Sequence, residues 1–212
     1  MVTLTREMIA QLLEEASWTE RAKSLERIAA RFAAGGLAES EWRAAVDAFR
    51  IALYDAEPLV RLVLAETVKV APDLPRDILL ALARDTATVA TPVLEHQHLL
   101  GEDDLLPIAL RHSPAHRFAI AGRRSISARL AAALCRHDER AVILRLLAND
   151  GAILSEQSLH ALIDRFPGQP ELLEAIGRRR LLPVSVAGRL RHPPLRRAEE
   201  PRRIPDRTGS HG

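Results

Sequence analysis

The sequence predicts an all-α protein built from stacked helix pairs, and three observations predict it. The chain is rich in Ala, Leu and Arg, all good helix formers, while aromatics amount to Phe 4, Trp 2 and Tyr 1. No segment alternates cleanly at period two, whereas apolar residues recur at helical spacing. One phrase also returns, blurred, along the chain. Asp55-Ala-Glu-Pro-Leu-Val-Arg61-Leu-Val-Leu-Ala-Glu66 is echoed by Val89 to Glu95, His116 to Gly122, Val142 to Ala148 and Leu172 to Arg178. Aligned on Leu64, Val93, Ile120, Leu146 and Ile176, the steps are 29, 27, 26 and 30 residues. A period in that range with helical patterning signals stacked helix pairs.

The elements follow in order. Thr5 caps a first helix with Met8, Ile9, Leu12, Leu13 and Ala16 on one side. Ser17-Trp18-Thr19 interrupts it, and Thr19 offers a new N-cap. Ala22, Leu25, Ile28, Ala29 and Phe32 form the next stripe, which Gly35-Gly36 ends. Glu39 or Ser40 opens a third helix, lined by Trp42, Ala45, Val46, Phe49 and Leu53. Pro58 suits the first turn of a fourth, because its missing N–H is not needed there. Residues 59–70 are apolar almost all round, as in a helix lying between neighbours. Arg76 to Arg84 is its partner, with Ile78, Leu79 and Leu82 inward, and Asp85-Thr-Ala-Thr88 restarts the cycle. Glu102-Asp103-Asp104 places acids at a helix start, where they satisfy free amides and suit the dipole. His112-Ser-Pro114, Arg136-His-Asp138 and Asn149-Asp-Gly151 are turns. Ser155 starts the helix of Leu159, Leu162 and Ile163. Pro167-Gly-Gln-Pro170 separates it from Glu171 to Arg180, and Pro183 opens a short final helix through Leu190. Residues 1–192 are expected to form one helical-repeat domain, with 1–54 as N-terminal cap helices and 55–192 as repeats. Residues 193–212 read as a disordered basic tail.

Composition narrows the class further. A chain of 212 residues with 47% hydrophobic content excludes full disorder. Cys135 lies in an apolar run and reads as a buried small hydrophobe. A single cysteine allows no disulfide framework within the chain, which suits a reducing cytosol. Met1 to Glu7 lacks the plan of a signal peptide, and no apolar run approaches the ~20 residues that cross a bilayer. Cytoplasmic localisation without a membrane partner is expected. Charge is uneven: Arg178 to Gly212 holds ten Arg against Glu199, Glu200 and Asp206, while the rest holds 20 Lys/Arg and 25 Asp/Glu. A mildly acidic body with a basic end suggests an interaction tail.

Asp55-x-x-Pro58-x-Val60-Arg61-x-x-x-Ala65 resembles the second helix of a HEAT repeat. That resemblance implies a turn acid and a helix arginine forming a polar ladder between units. Asp85 and Asp138 are the expected turn acids of later units, and Arg117 occupies the place of Arg61. Position 90 is Ala, so the ladder is expected to be incomplete. A longer run includes Leu82-Ala-Arg-Asp85, Val89-Ala-Thr-Pro-Val-Leu94, Asp103-Asp-Leu105, His116-Arg-Phe-Ala-Ile-Ala121, Leu146 to Ala152 and Arg180-Leu-Leu-Pro183. Over roughly Ala22 to His192 it resembles an uncharacterised, mainly alphaproteobacterial family, domain of unknown function 2336. The resemblance implies a HEAT-like α-solenoid and a cytoplasmic protein, and the fold expected of the chain is a right-handed solenoid with an N-terminal helical cap. It implies no catalytic residue and no cofactor.

The residues themselves agree on the absence of enzyme chemistry. Gly35-Gly36 lacks the strand and third glycine of a phosphate loop. No Gly-x-Ser-x-Gly elbow or His-Glu-x-x-His occurs. His112 and His116 are four apart, but Pro114 between them makes the pair straddle a helix start, so no metal is expected. Trp18 and Trp42 read as core anchors. The candidate binding residues are Arg61, Arg117, Arg123, Arg124, Arg178, Arg179 and Arg180, because guanidinium forks take up carboxylate or phosphate in pairs. The expected function is a non-enzymatic scaffold or adaptor for a partner protein. The alternative is nucleic-acid binding through the arginine clusters and the basic tail.

Overall fold

The structure is a computed structural model that describes residues 17–191. The Thr5-capped helix and the tail at 193–212 lie outside the described residues. Among those described the chain is all-helical, with α1 (Trp18–Ala33), α2 (Glu39–Ala52), α3 (Pro58–Val68), α4 (Arg76–Ala83), α5 (Ala87–His96) and α6 (Glu102–Arg111). Then follow α7 (Pro114–Ala121), α8 (Ala128–Leu134), α9 (Arg140–Ala148), α10 (Glu156–Arg165), α11 (Pro170–Gly177) and α12 (Val184–Arg191).

Local chemistry sets the boundaries. Ser17, not Thr19, is the N-cap residue of α1, and its carbonyl accepts from the Arg21 N–H at 3.1 Å. Gly35 and Gly36 carry φ of 73° and 67°, the left-handed region that glycine enters freely, and they turn the chain after α1. Glu41 reaches back to the Ala38 N–H at 3.1 Å at the start of α2. Pro58, Pro114 and Pro170 stand in the first turns of α3, α7 and α11. Asp104 accepts from the Gly101 N–H at 3.2 Å, as the acids there predict. Ser127 and Ser155 accept from Leu130 and Ser158 N–H groups at 3.2 and 3.1 Å.

The odd-numbered helices α1, α3, α5, α7, α9 and α11 pack in succession, each on the next. Even-numbered helices pair beside them, α6 with α8 and α10 with α12, and α2, α4, α6, α8 and α12 also contact the odd-numbered row. This arrangement is consistent with a helical repeat. The five aligned positions Leu64, Val93, Ile120, Leu146 and Ile176 are all fully buried, one in each helix from α3 to α11 of the odd row. The step from one to the next is therefore the step from one stacked unit to the next. One continuous core of Ala, Leu, Ile and Val runs between the rows. Phe49 stands edge-on to Phe32, and Trp42 tilts against the same ring at 6.4 Å. Trp18 is different: it is 42% exposed at the head of α1 and is not a core anchor. Helix α8, which the sequence reading does not set out, fills the place beside α6.

Candidate interaction surface

Two polar ladders hold the units in register, and they absorb most of the predicted arginines. The first runs along the starts of the odd-numbered helices. Arg21 of α1 grips Asp55 with both forks, at 2.6 and 2.9 Å. Arg61 of α3 grips Asp85 at the same two distances and donates to the Asp55 carbonyl at 2.6 Å. Arg117 of α7 grips Glu139, with Nε to Oε2 at 2.6 Å, and also donates to the Ala109 and His112 carbonyls. The acid of that rung is thus Glu139 rather than Asp138, because Glu139 directly precedes α9 while Asp138 pairs with Arg165 at 3.1 Å. The rung between α5 and α7, where Ala90 offers no fork, is filled by an imidazole. His116 takes Ser113 Oγ at 2.8 Å on Nδ1 and the Asp85 carbonyl at 3.0 Å on Nε2. Both nitrogens are therefore occupied by the protein, and the ring lies 5.1 Å from that of His112.

The ladder tunes its own charges. The Arg21 hydrogen bond holds the Asp55 carboxyl below the usual range, and Arg117 does the same for Glu139. Burial works to raise Asp85, but Arg61 and the Thr86 N–H outweigh it and leave the carboxyl depressed. Burial lowers His112, whose Nδ1 is enclosed without a partner. Burial also pushes the Cys135 thiol up to about 11, which fits a packed thiol rather than a reactive one.

The second ladder lies at the other ends of the same helices, where neutralisation of helix C-terminal carbonyls is the reading of the Arg123 and Arg179 clusters that competes with ligand binding. Gln97, after α5, donates to the Val68 and Ala71 carbonyls at 3.1 Å, capping α3. Arg123, after α7, donates to the carbonyls of Leu94, Gln97 and Leu100 at 2.6, 2.8 and 3.3 Å, capping α5. Asn149, after α9, caps α7 through Ala121 and Arg123 at 2.9 and 2.7 Å. Arg179, after α11, caps α9 through Leu147 and Asn149 at 2.9 and 3.2 Å, and reaches Ala152 at 2.6 Å. Each unit thereby satisfies the free carbonyls of the unit before it. The signal in the sequence is a polar residue three or four places after each of the last four aligned anchors, at 97, 123, 149 and 179.

Four of the seven predicted arginines, Arg61, Arg117, Arg123 and Arg179, therefore spend their donors inside the protein. Arg178 is exposed and pairs with Glu174 at 3.0 Å. Arg124 and Arg180 are exposed. They share one edge, because Gly151 packs on the Arg124 carbonyl, Ile126 bridges Ala152, and Arg180 lines a cleft with Ala152 and Ile153.

A different cluster occupies the exposed face of the odd-numbered row. Arg145 of α9 reaches across two units to Glu95 of α5 at 2.6 Å. Its guanidinium lies over the Phe118 ring of α7, 4.3 Å from the centroid, and passes over Gly122. Phe118 is 41% exposed, and Leu144 lies half-buried beside Arg145 on α9. The small residues Ala115, Ala141 and Ala148 flank this centre on the same helix faces. Further along the row, α3 presents Leu59, half-buried Leu62 and exposed Glu66 on the corresponding face. The result is an apolar, partly charged strip with one aromatic and one arginine in contact at its centre.

Among the described residues no group of three His, Cys, Asp or Glu is placed to hold a metal ion. No helix among them is long and apolar enough to cross a membrane.

These features define a class, an all-helical protein of stacked units tied by side-chain ladders. The defining pattern of the family described as "Uncharacterised protein conserved in bacteria (DUF2336)" matches residues 89–192, a span that runs from α5 through α12. No curated protein and no solved structure matches the chain.

Proposed function

We propose that the protein is a non-enzymatic, cytoplasmic scaffold or adaptor, a right-handed HEAT-like solenoid that binds a partner protein on the exposed face of its odd-numbered helices. The observation that supports this reading is the Phe118–Arg145–Glu95 centre. Aromatic and arginine side chains that are held in place before binding lose little entropy on association, and they dominate protein interfaces. Small neighbours at Ala115, Ala141 and Ala148 leave room for a partner's backbone to approach. Stacked helix pairs commonly use such extended surfaces to hold partners. Nucleic-acid binding has less support: Arg61, Arg117, Arg123 and Arg179 have partners inside the fold, which leaves Arg124, Arg178, Arg180 and the basic tail for phosphate.

The test is a photo-crosslinking amino acid placed at Leu144, and at Tyr54 as a control, in cells of the source bacterium. A discrete protein adduct at Leu144, resistant to nuclease and lost with Arg145→Ala, supports the reading. An adduct that disappears on nuclease treatment, or equal adducts at both positions, overturns it.

A further inference from the structure

The even-numbered row carries a second feature. Between the exposed faces of α6 and α8 lies a groove of about 510 Å³. Its floor is apolar, made by Leu106 and Leu110 from α6 and by Ala132 and Ala133 from α8. The two alanines sit where longer side chains would fill the space between the helices. At one end Arg129 of α8 joins Glu102 and Asp103 of α6 at 3.2 and 3.3 Å. That tie brings the first turns of the two helices together, so they run side by side in the same direction. Their last turns therefore also meet, and there Arg111 and Arg136 stand on the groove's rim. Both are exposed, and neither guanidinium has an ion pair or hydrogen bond among the described residues. Nearly every other arginine of α6 to α10 is matched to a carboxylate or a carbonyl, Arg124 being the other exception. Two like charges at one end of an apolar groove repel each other until an anion joins them.

We propose that this groove docks an acidic amphipathic helix of a partner protein. The apolar stripe of that helix lies on Leu106, Leu110 and the two alanines, and its carboxylates meet the Arg111 and Arg136 forks. From Asp103 to Arg111 the groove spans nine residues of α6, about 13 Å, which suits a docked helix of two to three turns. Charge complementarity selects the occupant. A nucleic-acid backbone has no use for the apolar floor, and a free small anion would leave Leu110 as exposed as it is now, 39%. This surface is separate from the one around Phe118, and together they give the protein two docking faces on different rows.

The experiment uses the full chain and a fluorescent synthetic peptide of about 14 residues, with leucines at helical spacing and glutamates clustered at one end. Its twin carries glutamine in place of glutamate, and a third peptide carries lysine. Anisotropy titration is expected to show the acidic peptide binding at least ~10-fold more tightly than the glutamine twin, a gap of about 1.4 kcal/mol. Arg111→Glu with Arg136→Glu removes acidic-peptide binding and transfers preference to the lysine peptide. Ala132→Leu fills the groove and weakens every peptide, while Arg145→Ala leaves all of them unchanged. Circular dichroism confirms that each variant is folded. Equal affinity for the acidic and glutamine peptides, no binding at all, insensitivity to the double charge reversal, or displacement by a single-stranded oligonucleotide overturns the proposal. Because Arg145→Ala is silent here and decisive at the Phe118 face, failure of one docking face is distinguishable from failure of the other.

Discussion

At Glu139 one carboxylate ties two helices together. Its two oxygens take both forks of Arg117, whose side chain is only 7% exposed. Removing the charge leaves Arg117 enclosed and half-satisfied, so Glu139→Gln is expected to lower stability by up to about 3 kcal/mol at neutral pH. The same site fixes the direction of the pH dependence. Asp55, Asp85 and Glu139 all titrate below their unfolded values of 3.8, 3.8 and 4.5. Their contribution is therefore complete above those values and is lost as pH falls through the folded ones. His112 acts earlier in the same direction. Its folded form resists protonation, so the unfolded chain takes up a proton first as pH drops below 6.5. Melting temperature by circular dichroism should stay level above pH 6.5, dip slightly towards pH 5 and fall steeply below about 4.5. Glu139→Gln should flatten the last limb and His112→Gln the first. A Glu139→Gln variant with an unchanged acid limb would show that the ladder contributes nothing.

Between elements, two glycines mark close approaches of different kinds. A Cβ on Gly151 collides with the Arg124 backbone carbonyl, where the α9–α10 loop lies against the α7–α8 loop. Neither backbone can give way without breaking the Ile126–Gly151 and Ile153–Ile126 hydrogen bonds of 3.0 and 2.9 Å. Gly151→Ala is expected to cost about 1–3 kcal/mol in denaturant unfolding. A Cβ on Gly122 meets only the guanidinium end of Arg145, the far end of a flexible side chain that can shift at the loss of its Phe118 and Glu95 contacts. Gly122→Ala should cost less than about 1 kcal/mol, yet move Arg145 off Phe118 and Glu95 and so weaken the partner adduct at Leu144. Similar unfolding midpoints for the two variants would refute the distinction. This contrast also shows which elements the sequence discloses. Leu64, Val93, Ile120, Leu146 and Ile176 are legible because burial imposes apolarity at a fixed step. Helix α8 is not legible: its alanines carry little amphipathic contrast, and its place is set by α6. Arg123 and Arg179 read as candidate binding residues because sequence shows the guanidinium but not which carbonyls it caps. Phe118 and Arg145 come together only through the stacking of α7 on α9.

For the whole molecule, ladders and core both link neighbours, and the Arg145–Glu95 pair is the one tie described above that skips a unit. Stability in such a stack approximates a sum of unit and neighbour terms, so it should be graded along the chain. Helices α5 and α7 have a packed neighbour on each side in their row, are capped by Arg123 and Asn149, and hold Gln97, Val93 and Ile120 with no exposure. Helix α12 buries Val186 alone. It is tied back by Arg189 to Asp164 and by Ser185 to Glu156, contacts that solvent reaches. Exposed ion pairs of this kind contribute about 0–1 kcal/mol. Native-state hydrogen exchange should therefore show amides of α12 opening with the smallest free energy, α11 next, and α5 and α7 last, near the global value. Removing the Arg123 cap by Arg123→Gln should lower protection in α5 and α7 most and leave α12 unchanged, because the lost hydrogen bonds lie at their junction. Uniform protection across the described helices, falling together in the variant, would mean that the chain unfolds as one unit and that neighbour coupling greatly exceeds the stability of any single pair.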